Sequence, residues 1–380
     1  MRPFLDGFLS QVRRTFLERR FRVMLLLLLA LTLLCAEIYQ QEVLLSLPVA
    51  VVDMDNSRLS RRVRVHLQAM REVSVVGEFI GSPDDAQRLT VAGKASAIVL
   101  IPSSFSTDIK RGAKGHVLVG VDMSNVLVGK NVQKAIAKAV GTVGAGVQLT
   151  TAKKMGARRD AAMAAVVPVA IEENLSFNPA TNYTVYIVPA LLFFLLHIWT
   201  IVVVSSVFLP NRGPECVREK IGAMAAIVLM ALAMAFLFLR VHLPWVGIDP
   251  ASGGSAILAL TGLLLVCDVL FTTALFSVIP RPLMAMEAAV AVAMLSLMLS
   301  GITWPTDLFP PGLQRFSDWI PFTPFARGIR ALVHYPTSLG ETWPWCGALL
   351  RQSVLYAALI AVGSVARIAA ASYRHRRIAS

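Results

Sequence analysis

Three ionisable side chains lie inside strongly apolar runs: His197, Asp268 and Glu287. A charge at membrane depth is costly, faces a cavity or a partner, and marks a substrate, ion or proton path by default. These three are therefore the candidate pathway residues. Plainer readings stand beside that one. Glu287 follows Arg281 by about one to two helical turns and can pair with it near the membrane surface. A neutral His197 can hydrogen-bond across helices. Other chemistry is thin. "DMD" at 53–55 offers two carboxylates to a metal, but they end an apolar strand and begin a helix, where a turn with a cap accounts for them. Histidines 66, 116, 197, 242, 334 and 375 have no ligand spacing, and no Ser-His-Asp or Cys-His constellation can be assembled. Gly93-Lys94 and Gly129-Lys130 lack the upstream glycine and following hydroxyl of a phosphate-binding loop, so no ATP site is readable. The sequence offers no catalytic group, metal set or cofactor.

The elements that must hold those charges are hydrophobic. Of 380 residues 56% are hydrophobic and 16% charged, and the mean hydropathy is +0.65. That composition belongs to a polytopic helical membrane protein and sets aside a nucleic-acid role for the net charge of +13. The run Val23–Ala36, lengthened by Phe21 and by Ile38 and Tyr39, reads as a first span over 21–41. The rival is a cleaved signal peptide; the charged lead with Asp6 and Glu18, and the lack of a small-x-small site, favour an uncleaved anchor. Five more runs follow: Tyr183–Leu209, Ile221–Leu243, Ser255–Ile279, Leu283–Gly301 and Leu349–Ala370, each able to cross a hydrocarbon core of about 30 Å. With six spans, all short-loop cations fall on one side: Arg2, Arg13, Arg14, Arg19, Arg20 and Arg22; Arg212, Arg218 and Lys220; Arg281; and Arg374, Arg376 and Arg377. Both termini are then cytoplasmic and residues 42–182 lie outside. None of the four cysteines (35, 216, 267, 346) falls in that region, so no disulfide framework can be read there.

Within 42–182 the pattern alternates between strand and helix. "PVAVVDMD" (48–55) is an apolar strand, with Asn56 or Ser57 capping a helix to Met70. "VSVVG" (73–77) is a second strand, and "SPDD" (82–85) supplies cap, proline and first-turn acids for another helix. "ASAIVLI" (95–101) and "HVLVGVD" (116–122) are further strands around a short helix ended by Gly112. Helical composition then runs from Asn125 to about 170, interrupted by "GTVGAG" (141–146). This is a small α/β domain whose strand order is left open.

Two loops complete the pattern. "LPNRGPECVREKIG" (209–222) packs Arg212, Glu215, Arg218, Glu219 and Lys220 into a short charged connection, readable as an ordinary positive-inside loop or as a docking surface. "SGITWPTDLFPPGLQRFSDWIPFTP" (300–324) breaks any helix with prolines, among them Pro305, Pro310 and Pro311, and interleaves Trp304, Phe316 and Trp319. It reads as a re-entrant hairpin over 303–324, with Pro310-Pro311 near its turn, Gly312 freeing the reversal, and Phe316 and Ile320 on one buried face. The alternative is a loop lying flat on the membrane.

"LPVAVVDMDNSRLSRRV" (47–63) resembles the start of the external domain in drug-exporter-like members of the type-2 ABC exporter permeases. "LSGITWPTDLFPPGLQRFSDWIPFTPFARGIRAL" (299–332) is similar to that family's late signature. The resemblance spans essentially the whole chain. It implies a cytoplasmic segment 1–20, transmembrane helix 1 over 21–41, an extracytoplasmic α/β domain 42–182 between helices 1 and 2, a five-helix bundle 183–370 with a re-entrant hairpin before helix 6, and a basic cytoplasmic tail 371–380. It also implies a permease of the bacterial inner membrane exporting a substrate, with ATP hydrolysis in a separate ABC ATPase subunit, a second permease subunit (homo- or heterodimer), and an adaptor in the periplasm. Arg212, Glu215, Arg218, Glu219 and Lys220 would receive the ATPase. The loop departs from the family in lacking the Gly-Thr-x-Glu element after Arg218-Glu219. The alternative function is a membrane-anchored scaffold or secretion-accessory protein sharing the permease fold without active transport.

Overall fold

The computed structural model describes residues 1–38, 45–76, 82–154, 183–209, 214, 216–250, 252–334 and 340–379. The chain divides into two compact units, Val43–Asn174 and the remainder, Met1–Glu42 with Leu175–Ser380.

The inserted unit is an α/β structure in the order β1 (Leu47–Asp53), α3 (Arg58–Gln68), β2 (Val73–Val76), α4 (Pro83–Val91), β3 (Ala97–Ile101), α5 (Phe105–Lys110), β4 (Leu118–Val121) and α6 (Val126–Lys154). The sheet order is β2-β1-β3-β4, with β1 parallel to both β2 and β3, and β4 antiparallel to β3. The central strand is apolar on both sides because both faces are covered. Val49 and Val51 enter one core with α3, α5 and α6, while Ala50 and Val52 meet Ala86 of α4 on the other face. Ser57 caps α3 and exchanges bonds with Ser60, and Ser82 caps α4 ahead of Pro83. One expectation changes: α6 runs through Gly141, Gly144 and Gly146 without a break. Each glycine costs a helix about 1 kcal/mol. That cost is offset by the stripe Val132, Ile136, Ala139 and Val143 buried on the sheet. The continuation toward 170 lies outside the described residues.

The other unit is helical: α1 (Arg2–Leu17), α2 (Arg19–Ile38), α7 (Tyr183–Ser206), α8 (Val217–Leu237), α9 (Gly254–Val278), α10 (Pro282–Leu299), α11 (Pro311–Ser317), α12 (Phe322–His334) and α13 (Trp343–Ala379). A π-turn, Phe238–His242, prolongs α8 to Trp245. Among the described residues five helices are long and apolar enough to cross a membrane: Tyr183–Ser206, Val217–Trp245, Gly254–Val278, Pro282–Leu299 and Gly340–Arg367. The most apolar stretch of α7 is 78% buried, against 22% for those of α10 and α13. α7 is therefore the central post of the unit, and α10 and α13 present open apolar faces. Phe21 and Leu28 of α2 join the same core.

Candidate functional site

A buried imidazole and a buried carboxylate meet in the helical unit. His197 of α7 and Asp268 of α9 stand 2.9 Å apart, Nδ1 to Oδ1, with side chains 1% and 0% exposed. The His197 ring stacks on Phe322 of α12, centroids 5.2 Å apart, and Phe194 meets Phe322 edge-on. Two helices and a broken segment thus converge on one imidazole–carboxylate pair. His197 Nε2 and Asp268 Oδ2 are buried and find no partner among the described residues. The pair can hold or pass one proton, or receive one polar group, beside the rings of Phe194 and Phe322. Glu287 is not part of it. It sits on the exposed face of α10, and Arg281 reaches Met284 Sδ at 3.7 Å rather than its carboxylate. The pairing of Glu287 with Arg281 is not observed.

The proline-rich stretch is irregular backbone, and its carbonyls are captured from both ends. α10 stops at Leu299, Gly301 turns the chain with φ of +86°, and Thr306–Leu308 form a 3-10 turn. Arg330 of α12 donates to Gly301 O at 2.6 Å, and Tyr186 of α7 donates to Ile302 O at 2.5 Å. At the other end Gln352 Nε2 donates to Asp318 O (2.7 Å), and the Tyr356 hydroxyl to Trp319 O (2.5 Å). Carbonyls released from regular helix need such partners when they are buried. Two local expectations are corrected. Pro311 occupies the first turn of α11 instead of a reversal, and the left-handed residue is Gly301, not Gly312. Phe316 is 51% exposed while Ile320 is 3% exposed, because α11 ends at Ser317 and the i,i+4 geometry does not reach Ile320. Trp304 and Trp319 are both exposed; Pro305 precedes the 3-10 turn and Pro310 precedes α11.

Of the charged connection, Arg212 and Glu215 lie outside the described residues. Arg218, Glu219 and Lys220 form the first turn of α8, where Glu219 suits the positive end of the helix dipole. Arg218 is exposed, and Lys220 Nζ lies 5.5 Å from the centre of the Phe208 ring. α1 runs against this turn, an element the sequence reading left unassigned within 1–20. A Cβ on Gly222 would stand 2.0 Å from Phe4 O, and one on Gly7 2.1 Å from Glu219 O. The helices cross backbone to backbone. α1 buries Gly7, Gln11 and Thr15 and exposes Phe4, Leu5, Leu9 and Phe16. That i,i+4 stripe of small and polar residues was the signal available in the sequence. At the α1–α2 junction partial burial pushes the Glu18 carboxyl up, but Arg20 (2.8 Å) and Arg14 (3.0 Å) outweigh this and hold it below its ordinary range.

In the α/β unit the 53–55 carboxylates serve the loops. Asp53 Oδ1 accepts from the N–H groups of Asp55 and Asn56, and Asp55 Oδ1 accepts from Ser106 N and Oγ at 3.2 and 2.9 Å. A groove of about 730 Å³ runs between α5, the 112–115 loop and α6, lined by Val63, Phe105, Ile109, Lys114, Val143 and Gln148 among others.

Residues 19–362 match the model of the ABC-2 family transporter protein. The chain belongs to the ABC-2 transporter family. As an ABC-2 chain it is a multi-pass membrane protein and the permease component of an ABC transporter, a transport part whose class works in general with an ABC ATPase. The match covers α2, the sheet unit and the helical bundle into α13, including the His197–Asp268 pair and the 299–332 segment. No curated protein and no solved structure matches the chain.

Proposed function

We propose that this ABC-2 permease moves a substrate outward across a bacterial inner membrane, as one half of a dimer driven by a separate ATPase subunit. The observation that carries the coupling is the α1–α8 crossing at Gly7 and Gly222, which fixes Arg218 and Glu219 beside a second helix at one end of the bundle. A partner pressing on that surface would move α1 and α8 together. The outward direction and the drug-exporter-like branch rest on the resemblance of 47–63 and 299–332 to exporters. In this reading α2 is the first of six spans, both termini are cytoplasmic, and 42–182 is extracytoplasmic. There the groove beside α6 is a surface for substrate or a periplasmic adaptor. His197 and Asp268 lie on the path, Glu287 borders it, and 303–324 re-enters the membrane before the last span.

The experiment is co-purification from native membranes with the tagged chain, followed by reversal of both charges (Arg218→Glu with Glu219→Arg). The reading expects an ATPase to accompany the wild type, and the reversal to lower transport-linked ATP hydrolysis while the protein remains inserted. Exposed pairs are individually worth about 0.2–1 kcal/mol, so both must change together. An ATPase that never accompanies the chain, with other proteins in its place, favours the scaffold function.

A further inference from the structure

A second polar place lies away from the His197–Asp268 pair. Arg315 and Asp318 at the end of α11, Trp319, and Ala348, Arg351 and Gln352 of α13 line a cleft of about 270 Å³. Its charges do not cancel. Asp318 is taken by Arg327 at 3.0 Å. Arg315 and Arg351 have no hydrogen bond or ion pair among the described residues, although both are exposed on the cleft. Two guanidiniums therefore lack an anion. The floor is fixed: Gln352 is buried, and it holds the Asp318 and Ile320 carbonyls. Ala348, one turn before Gln352, leaves room above it.

The depth of the cleft follows from α13. Arg351 and Arg367 bracket an apolar stretch, and sixteen residues of helix span about 24 Å, about 6 Å less than a hydrocarbon core of about 30 Å, a gap that a long arginine side chain bridges by snorkelling to the headgroups. Arg367 donates to the Phe276 and Ile279 carbonyls at the C-terminal end of α9, which places it at one boundary of the bundle. Arg351 then lies just inside the opposite boundary, with Trp319 beside it in the manner of an interfacial aromatic. Guanidiniums pair phosphate through two parallel N–H groups. The anion that occurs densely at this depth is the phosphate of a lipid headgroup.

We propose that the Arg315–Arg351 cleft binds the phosphate of a phospholipid headgroup, seating a lipid against the turn that Gln352 and Tyr356 hold. This rests on the multi-pass reading alone and is independent of the ATPase and of transport direction. The chemistry is that of a phosphate ester, and a soluble ester is the other possible source.

The test uses the full chain in lipid-stripped detergent, titrated with phosphatidylglycerol and followed by native mass spectrometry. The Arg315→Gln/Arg351→Gln variant is expected to bind about tenfold more weakly than wild type, an Arg→Lys double variant, which keeps the charge but not the paired N–H groups, to fall between the two, and an Arg62→Gln/Arg71→Gln charge control to stay close to wild type. Glycerol phosphate at millimolar concentration should not displace the lipid. Displacement would assign the cleft to a soluble ester and overturn the lipid assignment. Equal binding by the Gln variant overturns the site altogether. If that variant does not fold, brominated phosphatidylglycerol decides: it should quench wild-type tryptophan fluorescence more than that of Trp319→Phe, and equal quenching counts against the cleft.

Discussion

His197 Nδ1 and Asp268 Oδ1 meet at 2.9 Å between two apolar helices, and the second heteroatom of each has no partner among the described residues. Removing one member strands the other, which costs a buried pair about 3–5 kcal/mol. Asp268→Ala should therefore lower the melting temperature of the purified protein sharply. Replacing both members with apolar side chains, His197→Phe with Asp268→Leu, should recover most of that loss. If the pair lies on the transport path, the double variant is stable but inactive in vesicle uptake. A stable double variant with wild-type transport reduces the pair to a structural bond.

Gly222 permits the α1 crossing, since any Cβ there meets the Phe4 carbonyl at 2.0 Å. Gly222→Leu should detach α1 at a cost of about 1–3 kcal/mol, the usual range for overpacking a close contact. Amide exchange over residues 2–17 should accelerate while exchange in α7 and α9 stays slow. Unchanged exchange in α1 would mean that the helices can separate slightly without losing the contact.

Asp55 ties the β1–α3 loop to the start of α5. Partial burial pushes its carboxyl up, and hydrogen bonding by Ser57 and Ser106 with the charge of Lys110 outweighs this, leaving it below its ordinary range. A carboxyl lowered on folding stabilises the fold above its unfolded value, near 3.9, and loses that contribution as pH falls through the folded one. Asp55→Asn should cost about 1 kcal/mol at neutral pH, read as faster exchange in β1 and β3. The difference from wild type should shrink below about pH 4. A difference that persists into acid would assign the effect to shape instead of charge.

Orientation can be read with single cysteines in a cysteine-free background. Ser57→Cys should react with an impermeant thiol reagent in intact cells, and Ser380→Cys should not. The reverse pattern would invert the proposed topology.

The sequence by itself determined what depends on local composition and period. The apolar runs of α7 to α10 and α13 are long enough that only helices satisfy their backbone in lipid, and all five appear as such helices. The caps Ser57 and Ser82 and the strand "PVAVV" were equally legible, because capping and alternation are carried by neighbouring residues. Asp268 and His197 could be singled out as misplaced charges, yet their pairing across 71 positions could not. Helix register and rotation are set by packing that no short window contains. The same holds for α6, whose three glycines read as an interruption until the sheet supplied a face to bury Val132 to Val143. The capture of the Gly301 and Ile302 carbonyls by Arg330 and Tyr186, and of the Asp318 and Trp319 carbonyls by Gln352 and Tyr356, was out of reach for the same reason. Proline announces where a helix breaks, but only the folded neighbours decide which side chains satisfy the backbone it frees.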